Sequence, residues 1–126
     1  MSACPFCTIQ QDKIIASDPL TFTVRDTLPV SPGHTLILPK RHIASIFDAT
    51  KEEVAALWHA VELARTQLLE EFSSDGFNIG INDGVASGQT IPHLHIHLIP
   101  RYQGDMPDPR GGIRWIFPDK AVYWKD

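Results

Sequence analysis

The sequence predicts an α+β fold, on three observations. Residues 51–72 repeat apolar side chains at helical spacing behind a capping signal, shorter segments on both sides alternate apolar and polar residues as strands do, and 126 residues at 43% hydrophobic composition suit one domain with one core.

Cys4-Pro5-Phe6-Cys7 places two thiols on a turn favoured by Pro5. Such a pair is half of a tetrahedral zinc site or two partly buried thiols. Lys13–Ala16 and Thr21–Arg25 read as strands joined at Ser17-Asp18-Pro19, the simplest arrangement being a hairpin. An irregular segment from Asp26 leads through Pro32-Gly33 into a strand over His34–Pro39. Ile43–Phe47 reads as a short helical turn. Thr50 and Glu53 form a capping box ahead of Val54, Leu57, Trp58, Val61, Ala64, Leu68 and Phe72, one apolar stripe on a helix over 51–72 with His59 exposed off it. Ser73–Gly76 ends the helix and Phe77–Asn82 alternates as a strand. The loop from Asp83 to Gly88 is built of small residues, suited either to a plain hairpin connection or to bringing backbone amides close to a phosphate. After Arg101 the chain turns Gly- and Pro-rich, and its aromatics Trp115, Phe117, Tyr123 and Trp124 finish the fold, cover a partner subunit or cover a base.

Bulk properties exclude several classes. A net charge of −4 gives no reason to expect duplex nucleic-acid binding, although a local basic patch still suits phosphates. No apolar run approaches the ~20 residues that span a bilayer, and Met1-Ser2-Ala3-Cys4-Pro5 lacks the basic and apolar regions of a signal peptide. A soluble cytoplasmic protein without a membrane partner is the expectation, and in that compartment the C-x-x-C pair points to a metal or redox role before a disulfide.

Half of the six histidines stand in His93-Leu94-His95-Ile96-His97-Leu98. Strand periodicity predicts His93, His95 and His97 on one face, about 6.5–7 Å apart in sequence, with Leu94, Ile96 and Leu98 in the core. Three aligned imidazoles suit a catalytic metal, a nucleophilic histidine with phosphate-binding neighbours, or a solvated face; their spacing alone does not choose.

The flanking residues do. His93-Leu94-His95-Ile96-His97-Leu98-Ile99, together with Asn82, Gly88-Gln89-Thr90, Pro100-Arg101, Pro32-Gly33-His34, Pro39-Lys40-Arg41-His42 and the Cys4-Pro5-Phe6-Cys7 start, resembles the histidine triad (HIT) family of nucleotide hydrolases and transferases in the expected order. The resemblance covers about residues 4–102 of a single domain, 1–126, and leaves a variable tail at about 104–126.

The resemblance implies an antiparallel meander of about five strands with one long and one short helix, paired into a homodimer. It implies hydrolysis at the α-phosphate of purine nucleotide derivatives, such as diadenosine tetraphosphate or adenosine phosphoramidates. His95 would be the nucleophile, its tautomer fixed by the His93 carbonyl, with His97 and His34 as catalytic companions at the phosphate. Asp26 would hold the ribose, Asn82, Gly88, Gln89 and Thr90 the phosphate side, and an apolar slot near residues 20–28 the base. Bacterial relatives with this C-x-x-C bind zinc through positions that are here Cys4, Cys7, His42 and His93, a structural metal with no organic cofactor. Two rival expectations remain: a metal-dependent hydrolase that holds its metal on His93, His95 and His97, and a zinc-stabilised nucleotide-binding or scaffold protein with little turnover.

Overall fold

A computed structural model describes residues 4–126. Its strands are β1 (Ile14–Ser17), β2 (Thr21–Arg25), β3 (Thr35–Pro39), β4 (Gly76–Gly80) and β5 (Ile96–Arg101); its helices are α1 (Lys51–Phe72) and the short α2 (Pro118–Ala121). The five strands form one antiparallel sheet in the order β1-β2-β3-β5-β4, so the expected α+β fold is present, with β5 inserted beside β3 and β4 left at an edge.

The β1–β2 hairpin turns where the sequence places it, because the Asp18 carboxylate accepts the Leu20 and Thr21 amides, each at 2.8 Å. The expected capping box starts α1: Thr50 Oγ1 accepts the Glu53 N–H at 3.1 Å, and Glu53 Oε1 accepts the Thr50 N–H at 2.8 Å. Glu53 also takes a two-point ion pair from Arg41, at 3.1 and 2.8 Å. That pair fastens the segment after β3 to the helix N-terminus and thereby sets the position of the next residue, His42. The expected helical turn lies slightly later, as a 3-10 turn over Ile46–Asp48.

Two apolar layers sandwich the sheet. Leu57, Ala60, Val61, Ala64 and Leu68 of α1 pack on Ile37, Leu94, Ile96 and Leu98. Trp58 is 45% exposed and leaves the predicted stripe, the small Ala60 facing the sheet in its stead. On the opposite face Phe22, Val24, Leu36 and Leu38 form a smaller cluster with Phe6, Ile9 and Ile14.

The register Leu36↔His97 and Ile37↔Ile96 sorts β5 between these faces: Ile96 and Leu98 point to the helix, and His97 lies beside Leu36 on the other side. That face carries the candidate site. The tail reaches it too, with Gly112 against Asn78 and Ile113 against Gly80, where Gly80 pairs with His97. Its tryptophans are covered mostly by the tail itself: Trp115 donates to the Arg110 carbonyl at 2.8 Å, and the Arg110 guanidinium lies 4.5 Å over the Trp124 ring.

Candidate active site

On the sheet face opposite α1 a cleft of ≈ 490 Å³ is lined by Asp26, Asn82, Gly88, Gln89, Thr90, His95 and His97 among others. Most of the predicted substrate-side residues therefore meet around one space. Arg25, Thr27 and Leu28 of the expected base slot line it, with Val24 and Leu36 beneath. Pro5, Phe6 and Ile9 complete the apolar wall, and the sequence reading gave these no such role. The signal for them in the sequence is two apolar residues between the thiols with Ile9 two positions beyond, too short a pattern to assign to a wall.

Three imidazoles do not share one surface. The strand begins at Ile96, and His93 lies before it, fully buried and turned toward the cysteines. His95 and His97 remain together, with ring centroids 5.0 Å apart. His34, expected at the phosphate, is only 3% exposed and stands behind His97 instead of lining the cleft.

The hydrogen bonds fix the proton positions. A backbone amide can only donate, so the Val30 N–H at 3.2 Å makes His34 Nδ1 the acceptor and places that ring's proton on Nε2. His34 Nε2–H then donates to His97 Nδ1 at 2.9 Å, and the His97 proton falls on its own Nε2. His95 differs: its Nδ1–H donates to the His93 carbonyl at 2.9 Å, leaving a lone pair on Nε2. One neighbour thus presents a proton and the other a lone pair on Nε2, set by the Val30 amide through His34 and by the His93 carbonyl. Burial, then the nearby His95 and His34 rings, push the His97 pKa down to about 4, and burial lowers that of His34 despite Asp26.

Asp26, 3.6 Å from His34 Nε2, makes this group a formal candidate for a metal. The Val30 amide argues against it. A neutral imidazole ligated through Nε2 carries its proton on Nδ1, where that amide already points.

The remaining polar groups are committed as follows. Gln89 spends its amide on the scaffold, accepting the Gly84 N–H at 2.9 Å and donating to the Ala44 and Ile91 carbonyls at 2.9 and 3.1 Å, so it shapes the loop around the cleft. Gly84 and Gly88 hold φ of 96° and 98°, a region open to glycine and strained for other residues. Asp26 Oδ1 accepts the Leu28 N–H at 2.9 Å.

The second cluster joins Cys4, Cys7, His42 and His93, whose donor atoms all lie within 4.8 Å of one another. Cys4 Sγ and Cys7 Sγ stand 3.4 and 3.5 Å from His93 Nδ1, and His42 Nδ1 is 3.2 Å from both Cys7 Sγ and His93 Nδ1. Bonds of 2.0–2.3 Å around a tetrahedral zinc imply donor–donor edges of about 3.3–3.8 Å, so the set is near the size a metal needs. His93 is also oriented for it: Nε2–H donates to the Pro39 carbonyl at 2.9 Å, which leaves Nδ1 unprotonated among the thiols. Without a metal, burial and the neighbouring Cys4 raise the Cys7 pKa. These four residues can bind a metal, and they draw His93 away from the group that a triad-held catalytic metal would require.

Residues 8–104 match the HIT domain family model. The bis(5'-adenosyl)-triphosphatase of Dictyostelium discoideum is 40% identical over 97 residues, covering 77% of this chain and 65% of that protein. The asymmetrical bis(5'-nucleosyl)-tetraphosphatase of Schizosaccharomyces pombe is 40% identical over 80 residues, 64% of this chain and 44% of that one. Among solved structures, a Zn-bound histidine triad family protein from Mycobacterium smegmatis superposes with a TM-score of 0.75 at 33% identity, over 90% of both chains. The chain belongs to the HIT family, whose members include nucleotide hydrolases. It spans 65% and 44% of the length of these two curated relatives.

Proposed function

We propose that the protein hydrolyses purine nucleotide derivatives at the α-phosphate through a nucleotidyl-His95 intermediate and releases a nucleoside monophosphate. The observation that carries this reading is the tautomer pair on the cleft face: His95 with Nε2 unprotonated and His97 with Nε2 protonated, side by side. His95 Nε2 attacks phosphorus, and the bond to the leaving group breaks with its electron pair. The His97 Nε2–H donates to a non-bridging oxygen as charge gathers there. His34 holds His97 in that tautomer. Water then attacks the phosphorus, and the P–N bond returns its electrons to His95.

Asp26 keeps one carboxylate oxygen for the ribose hydroxyls, Thr90, Asn82 and the amides near Gly88 meet the phosphates, and the apolar wall takes the base. Substrates of the class named for the relatives, diadenosine polyphosphates, suit such a cleft. Cys4, Cys7, His42 and His93 would hold a structural zinc that crosslinks the N-terminal turn to the histidine segment. Two copies would pair into one continuous sheet, as the family resemblance implies.

A turnover screen over diadenosine polyphosphates, adenosine phosphoramidates and adenylyl sulfate tests the proposal. His95→Ala should lose at least about a thousandfold in rate while still binding adenosine monophosphate, and retention of more than about a tenth of the wild-type rate would refute the assignment.

A further inference from the structure

Phe6 stands between the two thiols and faces both sites. Its ring centroid lies 5.8 Å from that of His93, in the thiol cluster, and 5.1 Å from that of His95, in the cleft. With Pro5 and Ile9 it forms a wall of the cleft. No strand or helix holds this wall. Among the described residues, the backbone hydrogen bonds of residues 4–10 close within the N-terminal segment: the Cys7 N–H reaches the Cys4 carbonyl at 3.2 Å, and the Gln10 carbonyl accepts from Lys13 at 3.0 Å. The turn is therefore anchored to the rest of the protein by side chains of two kinds. The thiols reach His42 and His93, while Phe6 and Ile9 rest on the Val24–Leu36 cluster.

We propose that the N-terminal turn links the metal centre to the nucleotide cleft, with Phe6 as the positioning residue that carries the linkage; this rests on the nucleotide reading above. The turn has a docked arrangement, in which Phe6 lies on His95 and the thiols face His93. A metal on the thiols favours docking from one end. A nucleotide against Phe6 favours it from the other. Each ligand therefore tightens the other by the same factor, as binding linkage requires. Phe6 differs from a passive core residue in one measurable way: its loss should uncouple two ligands as well as weaken one.

The test uses the full chain with zinc and adenosine monophosphate as probes, at a temperature where the chelated protein remains folded. In the wild type, stripping zinc should weaken nucleotide binding about tenfold, and saturating nucleotide should tighten zinc by the same factor, read by competition with a chromophoric chelator. Phe6→Ala should retain zinc, raise KM more than it lowers kcat, and bind the nucleotide with one affinity whether loaded or stripped. Phe6→Leu, which keeps apolar contact without the ring face, should restore part of the coupling. Zinc release from loaded wild-type protein, slowed by the nucleotide and unaffected by it in Phe6→Ala, gives the same answer without a stripped sample. Equal nucleotide affinity in loaded and stripped wild type, or undiminished coupling in Phe6→Ala, overturns the proposal alone. Nucleotide binding to neither form overturns the functional reading and the proposal together.

Discussion

At the scale of single residues, the cleft separates its imidazoles by what their ring nitrogens face. The Val30 amide and the His93 carbonyl act on different rings and leave opposite groups on Nε2. Nitrogen-resolved NMR should find the proton on Nε2 of His34 and His97 and on Nδ1 of His95, with the His97 titration midpoint moved down to about 4. The consequence for stability follows from the sign of these shifts. Unfolded chains bind protons at histidine near pH 6.5, whereas folded His34 and His97 resist them, so stability is undiminished above about 6.5 and falls as the pH drops toward 4. His97→Asn should flatten that fall by about one proton in a urea-melt series, and an unchanged slope would contradict the assignment. Asp26 gives a separate test: Asp26→Ala should weaken ribonucleotides by about 1.5–3 kcal/mol and 2′,3′-dideoxy analogues far less, since only the former offer hydroxyls to the carboxylate.

At the scale of elements, the sequence was most readable where periodicity governs the chain. Helix α1 lies at its expected limits because the Thr50–Glu53 box and the apolar repeat both specify them. The start of β5 was not readable: alternation continues through His93, yet the thiols from the other end of the chain and the Pro39 carbonyl turn that residue away before the strand begins. The tail has neither repeat nor cap, so its seat against Asn78 and Gly80 left no local pattern. Contacts between distant segments decided what periodicity could not. The Arg41–Glu53 pair is another such contact, and it holds the Glu53 carboxyl at about 2 through the guanidinium and the Thr50 amide. Stability from this pair is present above the ordinary carboxylate pKa and lost as pH falls through about 2. Glu53→Gln should destabilise the fold at neutral pH and leave the acid side of the stability profile flatter, which denaturant melts measure. Gly33→Ala should also destabilise, because φ is +87° and a Cβ would lie 2.8 Å from Leu68 Cδ2 on α1; thermal melting reads this.

At the scale of the whole molecule, the sheet separates two tasks. The helix-side layer contains most of the buried apolar residues, while the opposite face gives up part of its cover to a cleft and is closed at one end by the N-terminal turn. A short turn with few backbone anchors is a weak closure for a binding site, and a metal crosslink would compensate for that weakness. The protein should therefore purify with about one zinc per chain, because two thiolates and two imidazoles fill four tetrahedral positions and leave none for substrate. Affinity should fall below neutral pH as protons compete for the ligands. Chelation, or Cys7→Ser, should lower the melting temperature and speed amide exchange in residues 4–10. Turnover at saturating nucleotide and low temperature should largely survive, since the proposed nucleophile, His95 Nε2, and the His34–His97 donor pair contain no metal ligand. Protein prepared under reducing conditions with zinc supplied, yet metal-free by mass spectrometry, would refute the site. Complete, zinc-reversible loss of turnover in chelated protein that is still folded would instead return the metal to the chemistry and remove the structural role argued for it.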